Sequence, residues 1–310
     1  MGGETFGPPI LPLQVRHPDL MMDIFVQQLV NSLSVASVTI LIGIGITLIF
    51  GLAGIVNFAH GEFLMVGGMA TWFMVGAGMN FFVALVFAGL LVGALGFAAE
   101  RCLFRFTLNR PMNGFIMSIG LSVILQHAVI RVFNEFQKSI ADPVGLVWTI
   151  GGVDIIAMRA IVVAITAVIV AITYFGISRS RYGMALRASV SDRDTAELMG
   201  IPVRRYVTGV FIYGSLLAGI GGALMISLFP ITPFTGSVII IRGFAVSLIG
   251  GLGNVGGAVV GGLVLGLVDG LSAGYGYPEW TDAYSLVVMI LILVLRPQGL
   301  LGGTLGPKAS

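Results

Sequence analysis

"IFVQQLVNSLSVASVTILIGIGITLIFGLAGIVNFAHGEFLMVGG", residues 24–68, holds a single carboxylate and neither lysine nor arginine. No Asp, Glu, Lys or Arg occurs from Ile24 to Ala59, and none from Phe63 to Ala99. An α-helix rises ~1.5 Å per residue and a bilayer's hydrocarbon core is ~30 Å thick, so about 20 apolar residues cross it. The first tract is longer than one straight crossing needs. It predicts a helix over about 25–49 and a break at Gly51 or Gly54, where glycine tolerates the turn. The second tract divides at "GAGMN" (76–80) into helices near 62–77 and 80–99. Between the tracts lies a polar knot of Asn57, His60 and Glu62, bracketed by glycines.

Composition extends this reading to the whole chain. Of 310 residues, 57% are apolar and 10% charged, against roughly 25% charged in ordinary soluble domains. The mean hydropathy is +1.03, and so few charges cannot make a water-facing surface. The 45 glycines suit apolar helices whose backbones approach closely. A net charge of +2 implies no nucleic-acid partner. Cys102 is the only cysteine, so there is no disulfide framework. The opening stretch lacks a basic segment leading directly into an apolar core and does not read as a cleaved signal peptide.

Further membrane elements are predicted at 111–130, 160–178, 206–229, 237–250, 255–272 and 281–297. The expected fold is therefore all-α, a polytopic transmembrane bundle of about nine elements with broken or re-entrant helices. The element at 237–250 is short enough to re-enter rather than span. The expected organisation is an extension over 1–23, one transmembrane domain over 24–300 with a polar loop at 179–205, and a tail over 301–310. Gly262, Gly266 and Gly270 recur every four residues, a small-residue stripe for close helix contact.

Orientation follows from the basic loops, which stay cytoplasmic. Alternating helices put Arg101, Arg105 and Arg110, the six arginines of 179–205, and Arg296 and Lys308 on one face. This predicts an extracytoplasmic N-terminus and a cytoplasmic C-terminus. Segment 131–159 then lies outside.

Several chemistries are excluded. The only lysines are Lys138 and Lys308, and no P-loop or G-x-S-x-G occurs. Gly251, Gly253 and Gly256 spell G-x-G-x-x-G, but a dinucleotide site needs a strand before it and a βαβ unit around it. The three histidines are far apart and lack metal-ligand spacing, so no metal, cofactor or catalytic residue is expected. The chain reads as a non-enzyme.

Polar residues at membrane depth need a reason. An ionisable group there costs at least ~3 kcal/mol on insertion scales and therefore faces protein or a cavity. Asn57, His60 and Glu62 either clasp a broken helix at an interface or line and gate a solute path. Asp269, in the small-residue helix, presents the same pair of roles. Arg242 reads as an interfacial anchor, and Glu100 with Arg101 as a snorkelling pair at a helix end.

The polar loop "SRSRYGMALRASVSDRDTAELMGIPVRRY", 178–206, contains a helix near 192–199. Ser191 with Asp194 has capping-box spacing, and Gly200 before Pro202 marks its exit. Thr195, Ala196, Leu198 and Met199 give that helix a face for docking in a partner's groove.

"NFAHGEFLMVGG", "RYGMALRASVSDRDTAELMGIPVRR", "GGLGNVGGAVVGGLVLGL" and "LRPQGLLG" together resemble the permease subunits of ABC importers for branched-chain amino acids. The likeness spans about residues 25–303. It implies one half of a translocation pathway in a bacterial or archaeal cytoplasmic membrane. It further implies a second homologous permease, two ATP-binding subunits that hydrolyse ATP, and an extracytoplasmic solute-binding protein. By the same resemblance Ser191, Asp192, Arg193, Asp194, Ala196, Glu197 and Gly200 form the element that couples to the ATPases. Ala196 and Gly200 stand where other importers carry a fuller Glu-Ala-Ala…Gly pattern. Permeases of this family also carry urea and short amides, which leaves that solute class as an alternative. The alternative from another class is a stand-alone carrier using His60, Glu62 and Asp269 for proton coupling.

Overall fold

The structure, a computed structural model, describes residues 18–108, 110–150 and 153–302. Most of the expected extension 1–23 and tail 301–310, Lys308 included, lies outside these residues.

Among the described residues, six helices are long and apolar enough to cross a membrane. They are α1 (Pro18–Ala53), α3 (Phe81–Cys102), α4 (Pro111–Phe133), α5 (Ala157–Arg179), α8 (Val203–Ile226) and α10 (Val255–Tyr275). The other three expected elements are also present, as α2 (Ala59–Gly76), α9 (Thr235–Gly250) and α11 (Thr281–Leu295). At ~1.5 Å per residue, α9 and α11 reach only about 24 and 22 Å, short of a full hydrocarbon core. Two helices in the polar loop complete the set, α6 (Arg181–Ser191) and α7 (Arg193–Leu198).

The break in the first tract falls after Ala53. Gly54 has φ +66°, a left-handed conformation that costs an L-residue ~1–2 kcal/mol. The chain then runs without helix through 55–57 and restarts at Ala59, three residues earlier than expected. That shift puts both His60 and Glu62 in the first turn of α2.

Small residues set the helix contacts. Gly262, Gly266 and Gly270 of α10 lie against Ile40, Ala36 and Ser32 of α1, where an added Cβ would strike α1's backbone. The falling partner numbers show that the two helices are antiparallel. On the other side, Gly219 of α8 meets Ala88 and Val92 of α3, and Glu100 accepts from Thr208 Oγ1 at 2.9 Å. These two helices are antiparallel as well. Glu100 is buried and bonded across the bundle, so it is not the snorkelling partner of Arg101. The α9 helix runs parallel to the later part of α1, with Gly243 on Ile42 and Ser247 Oγ at 2.7 Å from Thr47 Oγ1.

These directions give the bundle two ends. One carries the start of α1, the ends of α4, α8 and α10, and a β-hairpin of β1 (Val147–Ile150) with β2 (Val153–Ile156). This hairpin lies within segment 131–159, which was expected outside the membrane. Lys138 and Ile231 also exchange backbone hydrogen bonds there. The opposite end carries the ends of α3, α5 and α9, the α6–α7 pair, and the closing stretch in which Leu300 N–H donates to Ile249 O at 2.7 Å. Arg101, Arg105, Arg110, Arg296 and the arginines of 179–205 gather at this second end.

Candidate functional site

The expected pathway residues separate into two places. The first is the α1–α2 break. Asn57 Oδ1 accepts from Ala59 N–H at 3.1 Å and so serves an orphan donor at the start of α2. Ser118 of α4 accepts from Phe58 N–H at 3.0 Å. Glu62 is fully buried, with Ser122 of α4 donating to its Oε1 at 3.1 Å. Its place in the first turn also suits the positive end of the helix dipole. His60, likewise fully buried, lies beside Gly45 of α1. Gly236 of α9 sits directly on Glu62.

This knot is incompletely satisfied. Asn57 Nδ2, both ring nitrogens of His60 and Glu62 Oε2 are buried with no hydrogen-bond partner among the described residues. Each such group costs ~1–3 kcal/mol in a dry interior.

The second place holds Asp269. Its carboxylate is buried, accepts from Ser285 of α11, and lies 3.4 Å from Arg242 Nη1 of α9. Arg242 is simultaneously paired with Asp282 at the start of α11. Arg242, expected as an interfacial anchor, thus ties three helices together through two carboxylates. Six positions of α9 separate Gly236, on Glu62, from Arg242, on Asp269, so one short helix touches both sites.

Sequence reasoning missed Ser122, Ser285 and Arg242 as partners. The first two carry no signal, since serine is unremarkable in an apolar helix. Arg242 did carry one. A lone arginine and a lone aspartate in separate apolar helices are each costly unless paired.

The α6–α7 element holds the remaining candidates. Ser180 caps α6, accepting from Gly183 N–H at 2.9 Å, and Ser191 is that helix's last residue. The cap of α7 is consequently Asp192 rather than Ser191. Its Oδ1 accepts from Thr195 N–H at 3.0 Å and its Oδ2 from Thr195 Oγ1 at 2.6 Å. Those bonds from Thr195 hold the Asp192 carboxyl below its ordinary range. Asp194 lies in the first turn, and Arg193 pairs with Glu197 at 3.6 Å.

Gly200 ends α7 with φ +82°. Its N–H donates to Glu197 O and that of Ile201 to Ala196 O, both at 3.0 Å, the Schellman pattern expected of a glycine exit. Ala196 is buried against the bundle, whereas Leu198 and Met199 are 87% and 79% exposed. Two apolar side chains thus stand clear of the protein at its arginine-rich end.

Among the described residues, no group of three or more His, Cys, Asp or Glu could hold a metal ion.

A family model described as "Branched-chain amino acid transport system / permease component" matches residues 28–293. The chain is 32% identical over 294 residues to the high-affinity branched-chain amino acid transport system permease protein LivH of Escherichia coli K12, covering 90% of this chain and 96% of that one. It is 32% identical over 299 residues to BraD, a permease protein of the same description from Pseudomonas aeruginosa, with the same coverage. A probable LivH of Methanocaldococcus jannaschii is 27% identical over 286 residues, covering 86% of this chain and 89% of that one. No solved structure matches the chain.

Proposed function

We propose a function from one premise: this chain belongs to the family of permease components of branched-chain amino acid transport systems. It forms half of the translocation pathway of an ATP-driven importer. A second, homologous permease supplies the other half, two ATP-binding subunits supply the energy, and an extracytoplasmic binding protein delivers the amino acid. The arginine-rich end faces the cytoplasm, so that the hairpin end receives the solute.

The observation that carries this reading is the α6–α7 element. It is a capped helix with a glycine exit, anchored by buried Ala196, and it presents Leu198 and Met199 to the outside. Large apolar groups exposed at a charged surface are the anchors by which a short helix seats in a partner's groove. Movement of the ATPases then pushes on α5 and α8, to which the element is joined at both ends.

The knot is the gate in this scheme. Its unpartnered buried polar atoms raise the free energy of the closed arrangement, and opening the α1–α2 break to water satisfies them. The bistability that alternating access requires is thereby built in. The expected alternatives, a urea or amide permease and a stand-alone proton-coupled carrier, gain no support from the relatives' names.

Affinity purification of the full chain from its native membrane tests the assembly. Two ATP-binding subunits and a second permease should be retained, and the ATP-binding subunits should be lost when Leu198 and Met199 are both replaced by Asp. Purification of the parent chain as a bare oligomer with no ATP-binding subunit would contradict it.

A further inference from the structure

A charged cavity lies apart from the gate residues. It lies at the hairpin end, enclosed by α1, α5, α8, α9 and α10, and its volume is about 350 Å³. That is near the lower bound for small-molecule pockets. Its apolar wall includes Val38, Met225 and Ile239. Three charged side chains also line it: Arg159, Arg242 and Asp269.

Their pairing is uneven. Arg242 and Asp269 neutralise one another, and Arg242 has Asp282 besides. Arg159, at the start of α5, donates to the neutral Asn31 side chain, and among the described residues no carboxylate lies within 4 Å of it. Arg159 is therefore the one charge lining the cavity without a direct ionic partner among the described residues. A guanidinium partly withdrawn from water strongly favours a carboxylate, which it binds through two parallel N–H donors.

From this geometry we infer that the cavity is a solute subsite inside the chain, which takes an α-amino acid zwitterion with a branched apolar side chain. Arg159 receives the carboxylate, Asp269 receives the ammonium, and the aliphatic side chain lies on Val38, Met225 and Ile239. An ammonium that takes Asp269 leaves Arg242 its second carboxylate, Asp282, so no buried charge is stranded. A neutral urea or amide offers Arg159 only a carbonyl oxygen, of the kind Asn31 already supplies. The inference rests on the import function proposed above and locates the entering solute within one permease, at the end where it is delivered. A lipid phosphate offers Arg159 the same kind of oxygen, so the experiment must separate the two sources.

The test uses the whole importer in nanodiscs of phosphatidylcholine, without binding protein, and measures equilibrium binding of radiolabelled leucine. Saturable binding is expected in the parent, competed by unlabelled leucine and not by leucinamide, which lacks the carboxylate. Arg159→Gln should weaken it at least tenfold, and Arg159→Lys should weaken it less. The competition arm uses only the parent protein, so it stands even if Arg159→Gln fails to assemble. Leucinamide competing as well as leucine would overturn the inference. So would undiminished leucine binding in an assembled Arg159→Gln complex. Absence of leucine binding, with an anionic lipid that co-purifies with the parent and is lost in Arg159→Gln, would assign the cavity to lipid instead. ATP-driven leucine uptake is measured on the same preparations. Uptake without binding at the cavity defeats this inference alone, whereas absence of uptake by the parent defeats the import function.

Discussion

At position 62 a carboxylate lies wholly inside a helical bundle, held through one oxygen by the hydroxyl of Ser122. Glutamine at this position keeps an oxygen for Ser122 and fills the same volume, while alanine strands the hydroxyl and leaves a void. An unpaired buried partner costs ~1–3 kcal/mol, roughly tenfold or more in an equilibrium. Glu62→Gln should therefore retain uptake within a few-fold of the parent, and Glu62→Ala should lose about tenfold with complex yield unchanged. If yield falls in step with uptake, the knot is a structural clasp and not a gate. The three polar letters of the knot were legible because they interrupt an uncharged run. Asn57's bond to Ala59 is local and belongs to the same signal. Ser122 lies sixty residues away on α4, and nothing in the sequence brings it to Glu62. The cap of α7 shows a different failure. The Ser191 and Asp194 spacing was the right motif one residue out of place, because an unforeseen helix, α6, claims Ser191. The cap formed by Asp192 persists at neutral pH. It is released only as pH falls through that carboxyl's lowered pKa, so coupling should not weaken under mild acidity.

Two elements carry the mechanical argument. In α7 the exit depends on Gly200 at φ +82°, where a β-branched residue costs ~1–2 kcal/mol or more. Gly200→Val should leave membrane insertion intact and lower solute-stimulated ATP hydrolysis in the assembled complex. Glu197→Lys should do the same by breaking the pair with Arg193 and reversing an exposed charge. Normal stimulation in both variants would remove the coupling role. In α10, Gly266 abuts the Ala36 backbone, so Gly266→Leu must push α10 away from α1. Its effect should be structural: a lower Tm and a lower yield of folded chain. The stripe of glycines was readable because its period matches a helix face. The α9 helix was less so, since the short, mostly apolar run 237–250 fits either a short span or a re-entrant turn. It starts beside the knot and follows α1 to the arginine end. The α6 helix was missed because its arginines read as loop.

On the scale of the molecule, composition alone decided that the chain faces lipid, and α4 and α5 still leave most of their apolar surface uncovered. The apolar helices among the described residues were legible because each is an apolar run bounded by charge, glycine or proline. What joins them was not. The pairings between membrane helices, from Arg242 with Asp269 to Glu100 with Thr208, span distant positions, and in apolar sequence many pairings satisfy the same pattern. The orientation can be measured once exposed Cys102 is replaced by serine. A cysteine at Met199 should label only from the cytoplasm and one at Phe136 only from outside; the reverse pattern would invert the proposed topology.

The central claim is that this chain carries a branched-chain amino acid only as part of an ATP-driven assembly. Uptake of radiolabelled leucine into vesicles tests it most directly. The complete assembly, with ATP on the arginine-end side and leucine-loaded binding protein on the other, should accumulate leucine against its gradient. Vesicles lacking ATP, or holding this chain alone under a proton gradient, should not. Leucine accumulation by the chain alone, driven by protons and indifferent to ATP, would contradict the account.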